Sequence, residues 1–193
     1  MGEYPPDDGR RHESLPDPHP DWRVIESVPE YETGWFVGGY DLIEQPDGTE
    51  KRYYWAELAT AVVVTAVTDD HVLFVEQYRP TIRHEQLELP AGVVEAGESF
   101  TAAAGRELRE ETGFRADSLS LLEDVWVATG ALRHKRAYVF AEGLEPVGQE
   151  LDANEFLTPR AVPIEEAIPT VRSRPINEAT LQGLTLADEE GLL

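Results

Sequence analysis

The chain has 193 residues, of which 16 are Lys or Arg and 38 are Asp or Glu, a formal net charge of −22. With 41% hydrophobic residues it can bury an ordinary core, as one domain or one domain with a small appendage. The charge excludes nucleic-acid binding through a basic face, and the lack of cysteine excludes disulfides and thiolate metal sites. The most apolar stretch, Leu58 to Val67, is about half the roughly 20 residues that a bilayer span needs. The N-terminus lacks the basic-then-apolar order of a signal peptide. A cytoplasmic location with no membrane and no nucleic-acid partner is therefore expected.

Residues 1–21 are polar and rich in proline, and are expected to be a flexible lead-in. Residues 22–57 form an aromatic, β-branched segment. Within it the runs Trp35-Phe36-Val37 to Ile43 and Arg52 to Trp55 flank Gln45-Pro-Asp-Gly-Thr49, strong turn chemistry, which predicts an N-terminal antiparallel β-hairpin subdomain. Residues 58–193 are expected to form the main domain. In it Ala61–Ala66 and Val72–Tyr78 read as buried strands, Gln86–Leu89 as a short one, and Ser99–Thr112 as a helix. Trp126–Val127 and Ala137–Ala141 read as strands around a basic loop, and Pro163–Val171 and Asn177–Glu190 as helices. Strands and helices thus mix in an α/β (α+β) pattern.

The helix over 99–112 carries the chemistry. Ser99 suits an N-cap and Gly113 a left-handed C-terminal residue. On a step of about 100° per residue, Phe100, Ala103, Ala104 and Leu108 form one apolar stripe. Glu107 and Glu111 fall inside that stripe, Glu110 on its edge, and Arg109 on the far side. A salt-bridged surface helix would place its glutamates opposite the stripe. Inward carboxylates lose hydration and repel one another unless cations compensate, and Arg106 alone does not neutralise three. Two readings stand on the carboxylates by themselves: a solvated acidic face, or a site for a hard divalent ion such as Mg²⁺ or Mn²⁺.

The stretch Gly92-VVEAG-Glu98-SFTAAAG-Arg106-Glu107-Leu108-Arg109-Glu110-Glu111-Thr112-Gly113-Phe114 resembles the Nudix box, G-x5-E-x7-R-E-U-x-E-E-x-G-U, at every fixed position. The resemblance implies the Nudix fold, a mixed sheet sandwiched between helices. It also implies metal-dependent hydrolysis of a nucleoside diphosphate linked to another moiety. By position, Glu107 and Glu111 are implied as the main metal ligands, with Glu110 contributing and the backbone carbonyl of Ala91 completing the site. Glu98 and Arg106 are implied to pair and hold loop and helix in register.

Glu76-Gln77-Tyr78-Arg79-Pro80 and Leu89-Pro90-Ala91-Gly92 resemble the ADP-ribose pyrophosphatase branch, as does the aromatic hairpin, which there exchanges with a second subunit. The resemblance implies a homodimer through the hairpin and a nucleotide-linked small-molecule substrate, ADP-ribose first. Arg79 is a candidate contact for adenine or phosphate, or a cation capping a strand. Trp22, Trp35 and Tyr40 are candidates for adenine stacking, or packing residues. Glu88 faces either the metals or solvent. In the acidic loop Glu150–Glu155 the family's N-E pair aligns with Asn154-Glu155, which nominates Glu155 as the catalytic base.

One feature departs from the branch. Thr129 stands where its S-P-G motif has proline, and Arg133-His-Lys-Arg136 replaces an acidic stretch. Arg133 and its neighbours either hold an extra phosphate or make salt bridges to the acidic surface. Another nucleotide substrate (an NDP-sugar, a dinucleoside polyphosphate or an NTP) and a non-catalytic ADP-ribose sensor are the alternatives. Lysine occurs only at Lys51 and Lys135, a surface composition that resembles salt-adapted proteins of halophilic archaea.

Overall fold

The computed structural model describes Leu15, residues 18–151 and residues 156–193. Most of the lead-in and the Glu155 nominated as base lie outside the described residues. The chain separates into two compact units, residues 1–60 with Val125–Lys135, and Ala61–Asp124 with Arg136–Leu193.

The first unit is built on β1 (Arg23–Glu32), β2 (Phe36–Glu44) and β3 (Glu50–Leu58), each antiparallel to the next. The turn between β2 and β3 closes as its residues dictate. The Gln45 amide donates to the Thr49 carbonyl, Asp47 accepts the Thr49 amide, and Gly48 takes φ +81°. The expected hairpin is therefore two strands of a larger sheet. The β1 strand has almost every side chain exposed, so it shows no inside–outside alternation. Gly39 lets β1 and β2 approach, since a Cβ there would overlap the Val28 carbonyl. A two-residue strand, β9 (Leu132–Arg133), adds parallel to β3 and completes the order β1-β2-β3-β9.

The second unit has a mixed sheet running β11-β5-β4-β10-β8, with β6 on β5 and β7 on β4. Its strands are β4 (Ala61–Val67), β5 (His71–Arg79), β6 (His84–Glu88), β7 (Ala91–Val93), β8 (Phe114–Trp126), β10 (Lys135–Pro146) and β11 (Leu157–Pro163). The helices are α1 (Phe100–Thr112), α2 (Ile164–Arg172) and α3 (Glu178–Glu189). The β4 strand lies parallel to β10, and β4 and the Ala137–Ala141 part of β10 are buried on both faces, which is why they read as unbroken apolar runs. One face, with Val62, Val64, Ala66, Ala137 and Val139, packs on Ala103, Ala104 and Leu108 of α1. The other carries Thr65 and Tyr138, which α3 approaches at Gly183. This is the expected mixed sheet between helices.

Besides β1 and the short β7 and β9, two longer strands of the second unit escape the sequence reading. The β8 strand occupies 13 residues where only its last was expected, because its burial pattern has no strict period of two. The β11 strand carries Pro159 and Pro163, residues that speak against a central strand. It is tolerated because it is an edge, paired on one side to β5.

Candidate active site

Helix α1 begins where Ser99 Oγ accepts the Ala102 amide at 3.2 Å, and ends on Gly113 at φ +78°. Its buried face holds Ala103, Ala104, Leu108 and Thr112, and with them Glu107 and Glu111. Their angular position puts the two carboxylates on the apolar face of the helix, and packing of that face against the sheet buries them and supplies their partners. The amide of Ala91 donates to Glu111 Oε2 at 2.9 Å. Gly92 leaves the space that Glu107 fills, for a Cβ at Gly92 would overlap the Glu107 carboxylate. The β7 strand and α1 are thus shaped to each other at these two glutamates.

Arg106 links the same parts. Its guanidinium bonds Glu98 Oε1 and Oε2 (3.1 Å each), Glu107 Oε1 (2.7 Å), Glu110 Oε2 (3.2 Å) and the Val93 carbonyl (2.8 Å). The bidentate bond to Arg106, its largest influence, holds the Glu98 carboxyl below the usual carboxylate range. Reciprocally, Glu98 first and Glu107 next strengthen the arginine's hold on its proton.

The donors suit a hard divalent cation. Glu98, Glu107, Glu110 and Glu111 bring four carboxylates against two guanidinium groups, Arg106 and, at Glu110 (3.4 Å), Arg109, so negative charge is left over at oxygen donors. Among the described residues no three carboxylates already surround one point. Glu107 is drawn to Arg106 through Oε1 and Glu111 to the Ala91 amide through Oε2, which leaves a second oxygen on each carboxylate.

A model of the NUDIX domain matches residues 57–182. The chain belongs to the Nudix family. An ADP-ribose pyrophosphatase of Bacillus subtilis is 33% identical over 140 residues, 71% of this chain and 76% of that protein. One of Mycobacterium tuberculosis is 31% identical over 169 residues, 85% of this chain and 82% of that protein. A crystal structure of an ADP compounds hydrolase superposes with a TM-score of 0.79 at 25% identity, covering 89% of this chain and 97% of that one. The protein is a Nudix hydrolase, and no helix among its described residues is long and apolar enough to cross a membrane.

The remaining nominated residues of this Nudix chain fall into distinct settings. Arg79, at the end of β5, is bound by Glu88 through Nε (3.0 Å to Oε2) and Nη2. Glu88 does not face solvent: its side chain is 4% exposed and also accepts from Gln77 (3.1 Å) and Asn177 (2.7 Å). It stands three residues before Ala91 in the chain. Trp35 lies between β1 and β2 with 77% of its surface exposed, whereas Tyr40 is buried and Trp22 rests edge-on against Tyr53. Arg133 is engaged inside the first unit, where it bonds Asp41, approaches Glu57 at 3.8 Å and stacks on Trp55 at 4.0 Å. In the second unit Arg136 bonds Glu178 at 2.6 Å. Both arginines are thus paired with carboxylates in the structure.

The sequence reading misses Gln149 and Asn177 as elements of the site's frame. Gln149 Nε2 donates to the Glu111 carbonyl at 2.6 Å, and the Glu150 amide to the Glu110 carbonyl at 3.2 Å. These bonds occupy two of the carbonyls that a helix end leaves without partners. Only the position of Asn177 at a helix start hinted at a role, and that hint concerns capping.

Proposed function

We propose that this Nudix hydrolase cleaves ADP-ribose to AMP and ribose 5-phosphate with the help of Mg²⁺ or Mn²⁺. The observation that carries the reading is the buried pair Glu107 and Glu111, shaped to Ala91 and Gly92 across two separate elements. The Bacillus and Mycobacterium relatives, both ADP-ribose pyrophosphatases, support ADP-ribose as substrate. The engagement of Arg133 and Arg136 by carboxylates weighs against a further phosphate as the preferred feature.

Glu107, Glu110, Glu111 and the Ala91 carbonyl are the groups assigned to hold the cation. Bound there, it would offset the charge of the diphosphate and lower the pKa of a coordinated water. The chain's residues do the rest. Arg106 clamps Glu98 and the Val93 carbonyl, so the loop before α1 stays aligned with the helix. Arg79, held on one edge by Glu88, presents its remaining donors to an anionic or carbonyl group of the substrate. Trp35 is assigned to the adenine face and Glu155 to the proton of the attacking water. A homodimer through the β1–β3 sheet belongs to the same proposal, and the exposed Tyr31, Trp35 and Tyr54 support it.

The test is phosphate-linked turnover of ADP-ribose, an NDP-sugar, a dinucleoside polyphosphate and ATP, with Mg²⁺ in high KCl and Glu111→Gln alongside. ADP-ribose should be the preferred substrate and the variant inactive. Preference for another member of the panel would overturn the substrate assignment while leaving the hydrolase intact. The likeness to an ADP compounds hydrolase makes a different ADP derivative the second reading.

A further inference from the structure

Helix α3 starts at Asn177, whose side chain has two separate partners. Its Oδ1 accepts the Thr180 amide at 3.0 Å, which is an ordinary N-cap. Its Nδ2 donates to Glu88 Oε1 at 2.7 Å, across 89 residues of sequence. One turn further on, Thr180 Oγ1 accepts the amide of Leu89 at 3.1 Å. A single turn of α3 therefore grips two consecutive residues, Glu88 and Leu89, just ahead of Ala91 and Gly92.

The Nδ2 bond does nothing for capping, since serine and aspartate cap as well as asparagine with an oxygen alone. Its effect falls on Glu88. That carboxylate is buried, shares both oxygens with Arg79, and needs donors on every side to remain in place. Gln77 supplies one donor from β5, and Asn177 supplies another from α3. Without Asn177, Oε1 keeps only the longer 3.2 Å bond to Arg79 Nε, and the carboxylate is free to rotate toward the guanidinium. Arg79 keeps its bonds to Oε2, so its guanidinium follows the carboxylate as it turns.

We propose that Asn177 is a positioning residue for substrate binding, acting through Glu88 to hold the Arg79 guanidinium in the orientation that meets the nucleotide. The inference rests on the reading of Arg79 as a substrate contact. It makes the C-terminal helix part of the binding apparatus without contact to the ligand.

Asn177→Ser and Asn177→Asp separate this role from capping. Both keep the cap oxygen, so circular dichroism should show the helix intact. The lost bond to Glu88 lowers the thermal midpoint of all three variants, and Asn177→Ala, which loses the cap as well, should melt earlier than Asn177→Ser. In Asn177→Ser the KM for ADP-ribose should rise about three- to tenfold at unchanged kcat, the ratio that one lost hydrogen bond is worth. Calorimetric binding of ADP-ribose in EDTA should weaken by the same factor, and Asn177→Asp, which sets a second carboxylate against Glu88, should weaken it further. On an Arg79→Gln background the Asn177→Ser change should add nothing.

Unchanged KM and unchanged metal-free binding in both capping variants would overturn the proposal. So would penalties that add independently on the Arg79→Gln background, or a loss confined to thermal midpoint and kcat. Failure of the functional reading looks different: the parent chain would itself neither bind nor cleave ADP-ribose. If it prefers another ADP compound, the same variants are compared with that compound.

Discussion

At Gly92 the missing side chain is a requirement of the site, because the Glu107 carboxylate occupies the volume a methyl group would need. Gly92→Ala should displace Glu107 by about an ångström and lower turnover roughly a hundredfold, with circular dichroism unchanged. Glu111→Gln makes a complementary case. The amide oxygen can still accept from Ala91, so the fold should hold, but the charge is gone and kcat should fall more than about a hundredfold. Glu98 gives a pH prediction of definite sign. Its carboxyl is held low by Arg106, so the pair stabilises the native state fully above the ordinary glutamate value of about 4.3. That contribution disappears as pH falls through the lowered native value. In Arg106→Gln, urea unfolding between pH 6 and pH 3 should therefore show a shallower acid loss than the parent chain.

Among the elements, α1 depends most on how it ends. Gly113 takes a left-handed conformation, and its carbonyl accepts the amides of Val147 and Gly148 at 2.8 and 3.1 Å. A Cβ there would also meet the Gln149 nitrogen at 2.8 Å. Gly48 has a similar φ of +81° but open space around it. Gly113→Ala should accordingly cost more than the roughly 1 kcal/mol expected from the backbone alone, and Gly48→Ala about that amount. Urea midpoints of the two variants measure the difference. The contrast also shows what element boundaries reveal: both glycines were legible as turn or cap residues, whereas the crowding at Gly113 comes from residues 35 and 36 positions later.

For the whole molecule the net charge of −22 dominates. Self-repulsion acts against the compact state until salt shortens the Debye length from about 10 Å at 0.1 M to about 3 Å at 1 M. The thermal midpoint should rise with KCl over that range, and rise less in a variant with several exposed carboxylates changed to amides. A midpoint equally insensitive to KCl in both proteins would show that the surface charge is already compensated by pairs such as Arg160 and Arg174 with Glu76.

The sequence by itself determined the helix at 99–112, its caps and the placing of Glu107 and Glu111 within its apolar stripe, and it marked the strands β4 and β5. The helix and its caps are consequences of covalent geometry over a few residues, where a rotation of about 100° per residue or a positive φ leaves little choice, and the two strands stand out as unbroken apolar runs. The hairpin turn at Gln45–Thr49 belongs with them. Tertiary structure decided what those residues touch. The engagement of Arg133 by Asp41 and Trp55, the burial of Glu88 and its bond from Asn177 join positions far apart in the chain, 92 residues for Arg133 and Asp41 and 89 for Asn177 and Glu88, for which no periodicity exists to be read. The strands β1, β8 and β11 were hidden for a related reason. They lack an alternating pattern or carry proline, and they exist because a neighbouring strand offers its free hydrogen-bonding edge. Local stereochemistry acts along the chain, while burial and pairing depend on which distant surfaces meet.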